Sequence, residues 1–355
     1  MDIILKQIVG IDVAQKELVV ASGRLLGNLS IEMGAAKTFA NTEKGFSALL
    51  LWVNKFTREN VCVSFVMEAT GVYHEKLAYF LEGKGFELSI VLPNKISNYM
   101  RTLDIKTVTD KTCAEAITRF GLERKLESWK KPKAIFRGMK QLTRERDQIV
   151  EERTMVKNQL HAEEIEAYPN TNSLKRLQAR IKLLNKQEKE IKTEISALIA
   201  ADHDTKKTVD LLCTIPGIAA LTAAIILGET NGFDLIRSRR QITSYAGLDV
   251  REKQSGTSIK GKAKISKKGN KHLRKALHLP ALAAIRWDDR FKAVFTRLVS
   301  KHGIKMQAAV AVQRKLLEMA YTVYKNNKEY DKDYLKLESE IQEETQIAEK
   351  TEECQ

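Results

Sequence analysis

The feature that most restricts the fold is a long stretch in the middle of the chain without glycine. From Met139 to Ala200 there is no glycine, and apolar residues recur every three or four positions among many charged ones. The segment Tyr168-Pro169-Asn170 interrupts this pattern once. Glycine-free sequence with this periodicity is typical of amphipathic helices. Residues 133–205 are therefore predicted to form an antiparallel helical hairpin with coiled-coil character, which favours a homodimer.

The residues before this hairpin alternate between short apolar runs and amphipathic stretches. We predict two strands within 7–22, strands at 61–68 and 86–92, and helices at 44–56, 74–84, 95–102 and 111–124. This alternation is typical of a three-layer α/β domain, here residues 1–132.

The residues after the hairpin are mostly helical in pattern. In 211–230, two apolar helices flank Pro216-Gly217, which fits either a helix-hairpin-helix that presents backbone N–H groups to a phosphate or two simply packed helices. Residues 239–246 and a basic loop follow, and further helices are predicted at 270–285, 289–301 and 305–327. Residues 206–328 thus form a third, mostly α domain.

The charge of the chain points to a polyanionic partner. Sixty Lys and Arg against 45 Asp and Glu leave a net charge of +15, which favours nucleic acid. Residues 251–275, the basic segment, hold ten Lys or Arg and one Glu, and residues 329–355 form an acidic tail. We expect the basic segment to be a flexible loop that grips phosphates. The candidate contacts are Lys253, Lys260, Lys262, Lys264, Lys267, Lys268, Lys271 and Arg274.

Several classes of protein are disfavoured. No apolar run approaches the roughly 18 residues of a membrane span, and the first residues do not resemble a secretory signal. The four cysteines are far apart in sequence, so neither a zinc site nor a disulfide framework is expected. We expect a cytoplasmic protein that associates with the nucleoid when it acts.

Three carboxylates stand at positions suited to chemistry. Asp12 and Glu68 end predicted strands, and Asp110 begins a predicted helix. Acids gathered at one sheet edge can bind two divalent metals that assist in-line attack at phosphorus. Each also has a simpler explanation: Asp12 as a turn residue, Glu68 as a solvated strand end and Asp110 as an N-cap.

Short motifs follow one another in a recognisable order over residues 7–325. They are GIDV at 10–13, MEATGVYH at 67–74, VLPN at 91–94, TDK at 109–111, IPGI at 215–218, YAGL at 245–248, SG at 255–256 and ISKKGN at 265–270. In this order the sequence resembles the DEDD-type insertion-sequence transposases, a group that includes bridge-RNA-guided recombinases and pilin-gene invertases.

The resemblance implies an RNase H-like, RuvC-type domain that binds Mg²⁺ (or Mn²⁺) through Asp12, Glu68 and Asp110. The family usually has a fourth acid three residues after the third, where this chain has Cys113. Glu115 is nearby but points about 140° away from Asp110 on an ideal helix. We expect three acids to suffice, since a thiol is a poor ligand for Mg²⁺.

The resemblance also implies a serine nucleophile. On chemistry alone Ser244, Ser255, Ser258 and Ser266 compete, because each lies in or near the basic segment. The family keeps its nucleophile in a Ser-Gly pair after the YAGL segment, which selects Ser255. The implied partners are donor and target DNA, a guide noncoding RNA and further copies of the chain, up to a tetrameric synapse.

Three functions remain open from the sequence. The first is an RNA-guided transposase or recombinase with a covalent serine–phosphate intermediate. The second is a metal-dependent, structure-specific nuclease, similar to a Holliday-junction resolvase, without covalent chemistry. The third is a nucleic-acid-binding protein whose acid site has decayed at Cys113.

Overall fold

The computed structural model describes residues 3–58, 61–103, 105–252, 254–255, 259–260 and 264–331. The chain divides into two compact units, residues 1–131 and 132–355. The acidic tail beyond Asp331, and with it most of the predicted segment 329–355, lies outside the described residues. The predicted division of the second unit at residue 205 stays a prediction.

The first unit is built on a five-stranded mixed sheet. Its strands are β1 (Ile4–Val13), β2 (Glu17–Leu26), β3 (Ile31–Ala40), β4 (Val63–Glu68) and β5 (Glu87–Val91). Their order is β3-β2-β1-β4-β5. The strand β2 runs antiparallel to both β3 and β1, while β4 runs parallel to both β1 and β5.

Helices cover both faces of this sheet. They are α1 (Glu43–Phe56), α2 (Glu75–Gly83), α3 (Pro93–Met100) and α4 (Asp110–Glu123). Strand residues alternate between faces, so Val9 and Phe65 pack in a core with α1 and α2. Ile8 and Val66 pack on the opposite face with α3 and α4. The predicted three-layer α/β arrangement is confirmed.

Sequence patterning missed one strand of the sheet. The outermost strand β3 is exposed at most of its positions, so it lacks the apolar alternation that identifies a half-buried strand. It is ordered by its pairing with β2, from Glu17 opposite Ala40 to Leu25 opposite Ile31.

The second unit begins with two long helices, α5 (Ala134–Glu164) and α6 (Thr171–Ala200). They run antiparallel: Arg146 of α5 contacts Glu188 of α6, while Glu152, later in α5, contacts Arg180, earlier in α6. Val156, Leu177 and Leu184 are buried between them. Asn170 caps α6 by accepting hydrogen bonds from the N–H groups of Asn172 and Ser173.

The remaining helices of this unit pack into one large core. They are α7 (His203–Cys213), α8 (Ala220–Thr230), α9 (Arg239–Ala246), α10 (Lys271–Ala276), α11 (His278–Trp287), α12 (Asp289–His302) and α13 (Lys305–Asn326). The mostly helical character predicted for this part is confirmed. Among the described residues no helix has the length and apolar character to cross a membrane.

The turn between α7 and α8 contains Pro216 and Gly217. Gly217 has φ +89°, and a Cβ atom there would overlap the carbonyl oxygen of Pro280 in α11. This glycine therefore permits a close approach between two parts of the same core. The packing gives the turn a structural explanation, and its use as a phosphate-binding hairpin stays a prediction.

In the described residues of the basic segment, short strand pairs lie within the predicted loop, and a helix begins at Lys271 as expected. The backbone of the segment forms two short antiparallel pairs, β6 (Val250–Arg251) with β9 (Lys264–Ile265) and β7 (Gln254–Ser255) with β8 (Ile259–Lys260). Pairing between residues this close in sequence satisfies backbone groups that a loop would leave to water. The single helix predicted at 270–285 is also divided in two, with the junction at Leu277.

Candidate catalytic site

Asp12 and Glu68 lie side by side at one edge of the sheet. Asp12 is next to last in β1 and Glu68 ends β4. The two strands are parallel, and Ile11 pairs with Met67 one residue earlier. The carboxyl ends of both strands therefore meet, as the sequence predicted, and bring the two acids together.

Asp110 enters the same region on α4. Thr109, not Asp110, is the N-cap: its side chain accepts a hydrogen bond from the Thr112 N–H, and the Thr112 hydroxyl accepts one from the Thr109 N–H. The N-cap explanation for Asp110 is thus wrong. Asp110 occupies the first helical position and is exposed, so its carboxylate is not used to cap the helix.

A contact that the sequence did not reveal holds α4 against β1. The buried Thr118 hydroxyl accepts a hydrogen bond from the N–H of Gly10, and its single proton lies within reach of the carbonyl oxygens of both Ala21 and Ala114. A Cβ atom at Gly10 would overlap Thr118. Gly10 therefore lets the helix that carries Asp110 approach the strand that carries Asp12.

The three acids, which we call the acid cluster, repel one another. Burial and then the charge of Asp110 raise the pKa of Asp12 above its ordinary value. Burial and then the charge of Asp12 raise the pKa of Glu68, against a weak hydrogen bond from the Thr70 hydroxyl at 3.4 Å. Like charges that are partly removed from water are costly, and a bound cation would relieve this cost.

The chemistry of the acid cluster fits a divalent metal ion. Its donors are carboxylate oxygens, the ligands that Mg²⁺ and Mn²⁺ prefer. Among the described residues, however, no three His, Cys, Asp or Glu side chains stand together as ligands of one ion. Binding would require the carboxylates to turn toward each other. The assignment of Asp12, Glu68 and Asp110 as metal ligands stays a prediction.

Cys113 belongs to the same neighbourhood. It lies one helical turn after Asp110, and burial followed by the charges of Asp12, Glu68 and Asp110 raises the pKa of its thiol. A protonated thiol is a weak ligand for a hard cation.

An open cavity of about 650 Å³ adjoins the acid cluster, with Glu68 and Cys113 in its wall. Its other lining is mainly apolar, from α3 and the residues after it, and includes the polar side chains of Asn94, Ser97 and Arg101. Glu68 is therefore open to solvent through this cavity.

Ser255 belongs to the second unit. Its backbone lies in β7 and pairs with Ile259 of β8. Lys260 lies in β8. The side chains of these residues, and all of Lys253 and Lys262, lie outside the described residues. The roles predicted for them stay predictions.

The candidate phosphate contacts of the basic segment fall into two groups. Lys264, Lys267, Lys268 and Lys271 are exposed. Arg274 instead donates hydrogen bonds to the carbonyl groups of Ala246 and Gly269, at 2.7 and 3.2 Å. Its guanidinium group therefore stabilises the fold of the segment, which a count of basic residues could not reveal.

Sequence reasoning also missed a buried carboxylate near this segment. The side chain of Glu229, in α8, is 1% exposed and pairs with Arg144 of α5. The sequence does hold one indication of it, because Glu229 is the single acid in the apolar run 218–230. A charge buried in such a run needs an oppositely charged or hydrogen-bonding partner.

Two family models match the chain. A DEDD transposase model of the IS110 group matches residues 9–163, which contain the acid cluster, and the model of the transposase IS116/IS110/IS902 family matches residues 209–296, which contain Ser255. Among solved structures, T. thermophilus RuvC in complex with a Holliday junction substrate matches 35% of this chain and 99% of its own, with 10% identity and a TM-score of 0.26. A match at that level does not by itself establish a common fold.

Similarity to individual proteins extends over most of the chain. The pilin gene-inverting protein of Moraxella bovis is 31% identical over 301 residues, covering 83% of this chain and 90% of that protein. Its counterpart from Moraxella lacunata is 31% identical over 304 residues with the same coverage. An insertion element IS110 protein of Streptomyces coelicolor is 25% identical over 155 residues, 44% of this chain and 37% of its own. The chain therefore belongs to the IS110 family of DEDD transposases, enzymes that cut DNA strands and rejoin them.

Proposed function

We propose that this protein moves or inverts a DNA segment by serine-mediated strand exchange, with the acid cluster as its divalent-metal site. The observation that carries the proposed metal site is the meeting of Asp12 and Glu68 at the carboxyl ends of the parallel strands β1 and β4. Burial raises the pKa of both carboxyl groups, and so does a neighbouring charge, that of Asp110 for Asp12 and that of Asp12 for Glu68. Repelling acids beside an open cavity are costly to the fold, and catalytic sites are where such costs are retained.

The acid cluster has a defined role in this proposal. Asp12, Glu68 and Asp110 hold Mg²⁺ or Mn²⁺, which when bound offsets the negative charge of a phosphodiester. With such an ion bound, these carboxylates would place its positive charge beside the cavity that Glu68 lines, where a phosphate could approach it. Cys113 contributes no charge, consistent with the raised pKa of its thiol.

Ser255 supplies the nucleophile. Its hydroxyl oxygen forms a bond to phosphorus while one phosphorus–oxygen bond to a deoxyribose breaks. The proton of the serine passes to the released sugar hydroxyl, so the step balances without a co-reactant. Because one phosphoester replaces another, a hydroxyl from a second DNA end can reverse the step and rejoin the strand.

The basic segment holds the DNA in this scheme. Lys264, Lys267, Lys268 and Lys271 are exposed, and lysine contacts to phosphate give affinity without sequence readout. Selection of the site is therefore assigned to a guide noncoding RNA, as the family resemblance implies. Removal of RNA by nuclease should then abolish reaction at the specific site, and its re-addition should restore it.

We also propose that the protein acts as a homodimer that pairs into a tetramer on DNA. Support comes from apolar side chains left exposed on the long helices, Met155 at 57% and Leu183 at 55%. Sedimentation of the protein with and without DNA tests this. A monomer in both states would contradict it.

The decisive experiment traps the covalent intermediate. The wild-type protein is incubated with Mg²⁺, RNA from the flanking region and a plasmid carrying the gene with its flanking DNA, then denatured and analysed for DNA-linked protein. We expect an adduct with wild type and with Cys113→Ala, and none with Ser255→Ala, Asp12→Asn or Glu68→Gln.

Each other outcome identifies a different function. Metal-dependent cleavage without an adduct, retained in Ser255→Ala, would indicate the structure-specific nuclease. Binding without cleavage by the wild type, with activity restored in Cys113→Asp, would show that the natural site has decayed.

A further inference from the structure

The base of the Ser255-bearing hairpin is connected to a buried carboxylate. Glu229 accepts two hydrogen bonds from the guanidinium of Arg144, at 2.7 and 2.9 Å, and one from the Asn270 side-chain amide at 2.6 Å. The hydroxyl of Tyr245 donates to the backbone carbonyl of the same glutamate at 2.8 Å. Glu229 thus contacts residues on both sides of the hairpin, Tyr245 before it and Asn270 after it.

These two residues are also joined to each other. The N–H of Asn270 donates to the carbonyl of Tyr245 at 2.7 Å. A Cβ atom on Gly269 would lie 2.5 Å from that carbonyl oxygen, so the close approach of the two segments requires glycine there. The Asn270 side chain meanwhile uses its oxygen to cap α10, accepting from the N–H groups of His272 and Leu273.

Hydrogen bonds continue from this point toward the hairpin. The N–H of Lys267 donates to the Gly247 carbonyl at 3.1 Å, and the N–H of Ser266 donates to the Asp249 carbonyl at 2.8 Å. The Ser266 hydroxyl adds a bond to the Asp249 carboxylate at 2.5 Å. The pairing of β6 with β9 follows directly. The segments before and after Ser255, residues 245–251 and 264–270, are therefore joined by hydrogen bonds along their length, beginning at the contacts with Glu229.

Glu229 keeps its charge in this position. Burial opposes ionisation, but the hydrogen bonds from Arg144 and Asn270 and the positive charges of Arg144 and Lys140 outweigh it, so the pKa of Glu229 lies below its ordinary value. An ionised acceptor makes stronger hydrogen bonds than a neutral one. A neutral amide at this position would hold Arg144 and Asn270 less tightly.

We infer that Glu229 is a positioning residue for DNA strand cleavage. It holds residues 245–251 and 264–270 at one spacing and so sets where the hairpin places Ser255 relative to the DNA. The inference rests on the proposed role of Ser255. Since small displacements of a reacting group reduce rates strongly while binding is carried by other residues, Glu229 should affect the rate of chemistry rather than DNA affinity.

The test compares two buried glutamates of the same unit in the full-length protein. Glu229→Gln and the control Glu188→Gln each neutralise a carboxylate that binds arginines, but Glu188 lies on α6 and contacts Arg146, Arg153 and Lys192. Single-turnover cleavage of the plasmid substrate is measured with enzyme in excess, together with the DNA dissociation constant and the melting temperature. We expect a rate lower by about tenfold or more in Glu229→Gln, with unchanged affinity, and no rate change in Glu188→Gln.

A second pair of variants keeps the inference testable if neutralisation impairs folding. Asn270→Asp retains an oxygen to cap α10 but loses the amide that donates to Glu229, so it should reduce the rate as Glu229→Gln does. In the double variant Glu229→Gln with Asn270→Asp, the amide at position 229 can donate to the carboxylate at position 270. This reversed hydrogen bond should recover part of the cleavage rate. Equal rates for Glu229→Gln and Glu188→Gln, or a loss confined to DNA affinity, would overturn the inference.

The Ser255→Ala and Glu229→Gln variants together distinguish failure of the positioning role from failure of the proposed nucleophile. If Ser255→Ala still cleaves at the wild-type rate, the proposed function has failed whatever Glu229 does. If Ser255→Ala abolishes the adduct while Glu229→Gln cleaves at the wild-type rate, the nucleophile stands and the positioning role fails.

Discussion

At the scale of single residues, the repulsion within the acid cluster lowers the stability of the folded, metal-free protein. Asp12 has a pKa above its unfolded value because burial and Asp110 disfavour its charge. Protonation of Asp12 therefore favours the folded state. That contribution is present at low pH and is lost as the pH rises through the raised pKa, so the ionised group is unfavourable at neutral pH.

We therefore predict that Asp12→Asn stabilises the metal-free protein while abolishing cleavage. The gain at pH 7 should be up to about 1 kcal/mol, limited by the partial exposure of the site. Thermal unfolding in EDTA measures it. Mg²⁺ or Mn²⁺ should then raise the melting temperature of the wild type, by preferential binding to the folded state, and not that of Asp12→Asn.

Glu17→Gln is the control for this prediction, since Glu17 is an exposed acid of β2 in the same unit. It should change neither the stability nor the response to metal. An equal metal-induced shift in Asp12→Asn would place the metal elsewhere.

Gly10 illustrates how one residue sets the distance between two others. A methyl group there would overlap Thr118 and lie 2.7 Å from the carbonyl oxygen of Ala114. We predict that Gly10→Ala costs about 1–3 kcal/mol of unfolding free energy, because overpacking displaces α4. Cleavage should also fall, since Asp110 moves with that helix. Chemical denaturation and cleavage rates measure the two effects.

A matched substitution separates this effect from the backbone propensity of alanine. Gly83 is exposed, and a Cβ atom there would have no neighbour within 4 Å. Gly83→Ala should be neutral or slightly stabilising. Retained stability in Gly10→Ala would show that α4 can shift at little cost.

At the scale of elements, α5 and α6 are held in register by a buried charge. The Glu188 side chain is 8% exposed and contacts Arg146 at 3.0 Å and Lys192 at 2.9 Å, as well as Arg153. Burial opposes its charge, but hydrogen bonds from Lys192, Arg153 and Arg146 lower its pKa from 4.5 to about 2. These charged contacts form only in this alignment of the two helices, and they add to the apolar contacts of Val156, Leu177 and Leu184.

A pH dependence follows from this lowered pKa. The stabilisation from Glu188 is present above its unfolded pKa of 4.5 and is lost as the pH falls toward about 2. At pH 7, Glu188→Gln should cost roughly 2–3 kcal/mol, and its difference from the wild type should vanish near pH 2. Denaturant unfolding across this range measures both. Glu190→Gln, which removes an exposed pair with Lys186, should cost less than about 0.5 kcal/mol.

At the scale of the whole molecule, a net charge of +15 does not show where DNA binds. Within the basic segment, the structure reduces the number of candidate DNA contacts. Arg274 is hydrogen-bonded to backbone carbonyl groups, and Lys275 pairs with Glu151 at 2.8 Å. The exposed lysines remain as candidates for phosphate contact. Lys264 lies in β9, Lys267 and Lys268 follow it, and Lys271 begins α10.

We predict that replacing Lys264, Lys267, Lys268 and Lys271 by glutamine weakens DNA binding and its salt dependence. The slope of the logarithm of the binding constant against the logarithm of the salt concentration should fall in magnitude by up to about 0.9 for each phosphate contact that is lost. Binding titrations at several salt concentrations measure this slope. Replacing an equal number of exposed lysines on α6, Lys175, Lys182, Lys186 and Lys189, is the charge-matched control, and an equal weakening there would show that binding is diffuse.

Much of this molecule could be predicted from local sequence. The helical hairpin follows from the absence of glycine and the spacing of apolar residues, since both act within a few turns of helix. The proximity of Asp12 and Glu68 could be predicted because both acids end strands, and the carboxyl ends of parallel strands meet at one edge of a sheet. The α/β class of the first unit follows in the same way from the alternation of strands and helices.

Other features depend on residues that meet only in the folded chain. The strand β3 has no periodicity of its own and is ordered by pairing with β2. The pairing within the basic segment was hidden by its many lysines and glycines, which favour loops when read locally. Likewise, the count of basic residues treated Arg274 as equal to Lys271, although the two side chains have different surroundings.

Gly10 with Thr118, and Glu229 with Arg144 and Asn270, show the same limit most clearly. Each set joins positions separated by 41 to 108 residues in the chain. Local patterns report how a residue interacts with neighbours in its own helix or strand. The partner of a buried hydrogen-bonding group, and the pKa of a buried carboxyl such as that of Glu229, depend on which distant groups lie beside it. Only the packing of the whole unit brings those groups together.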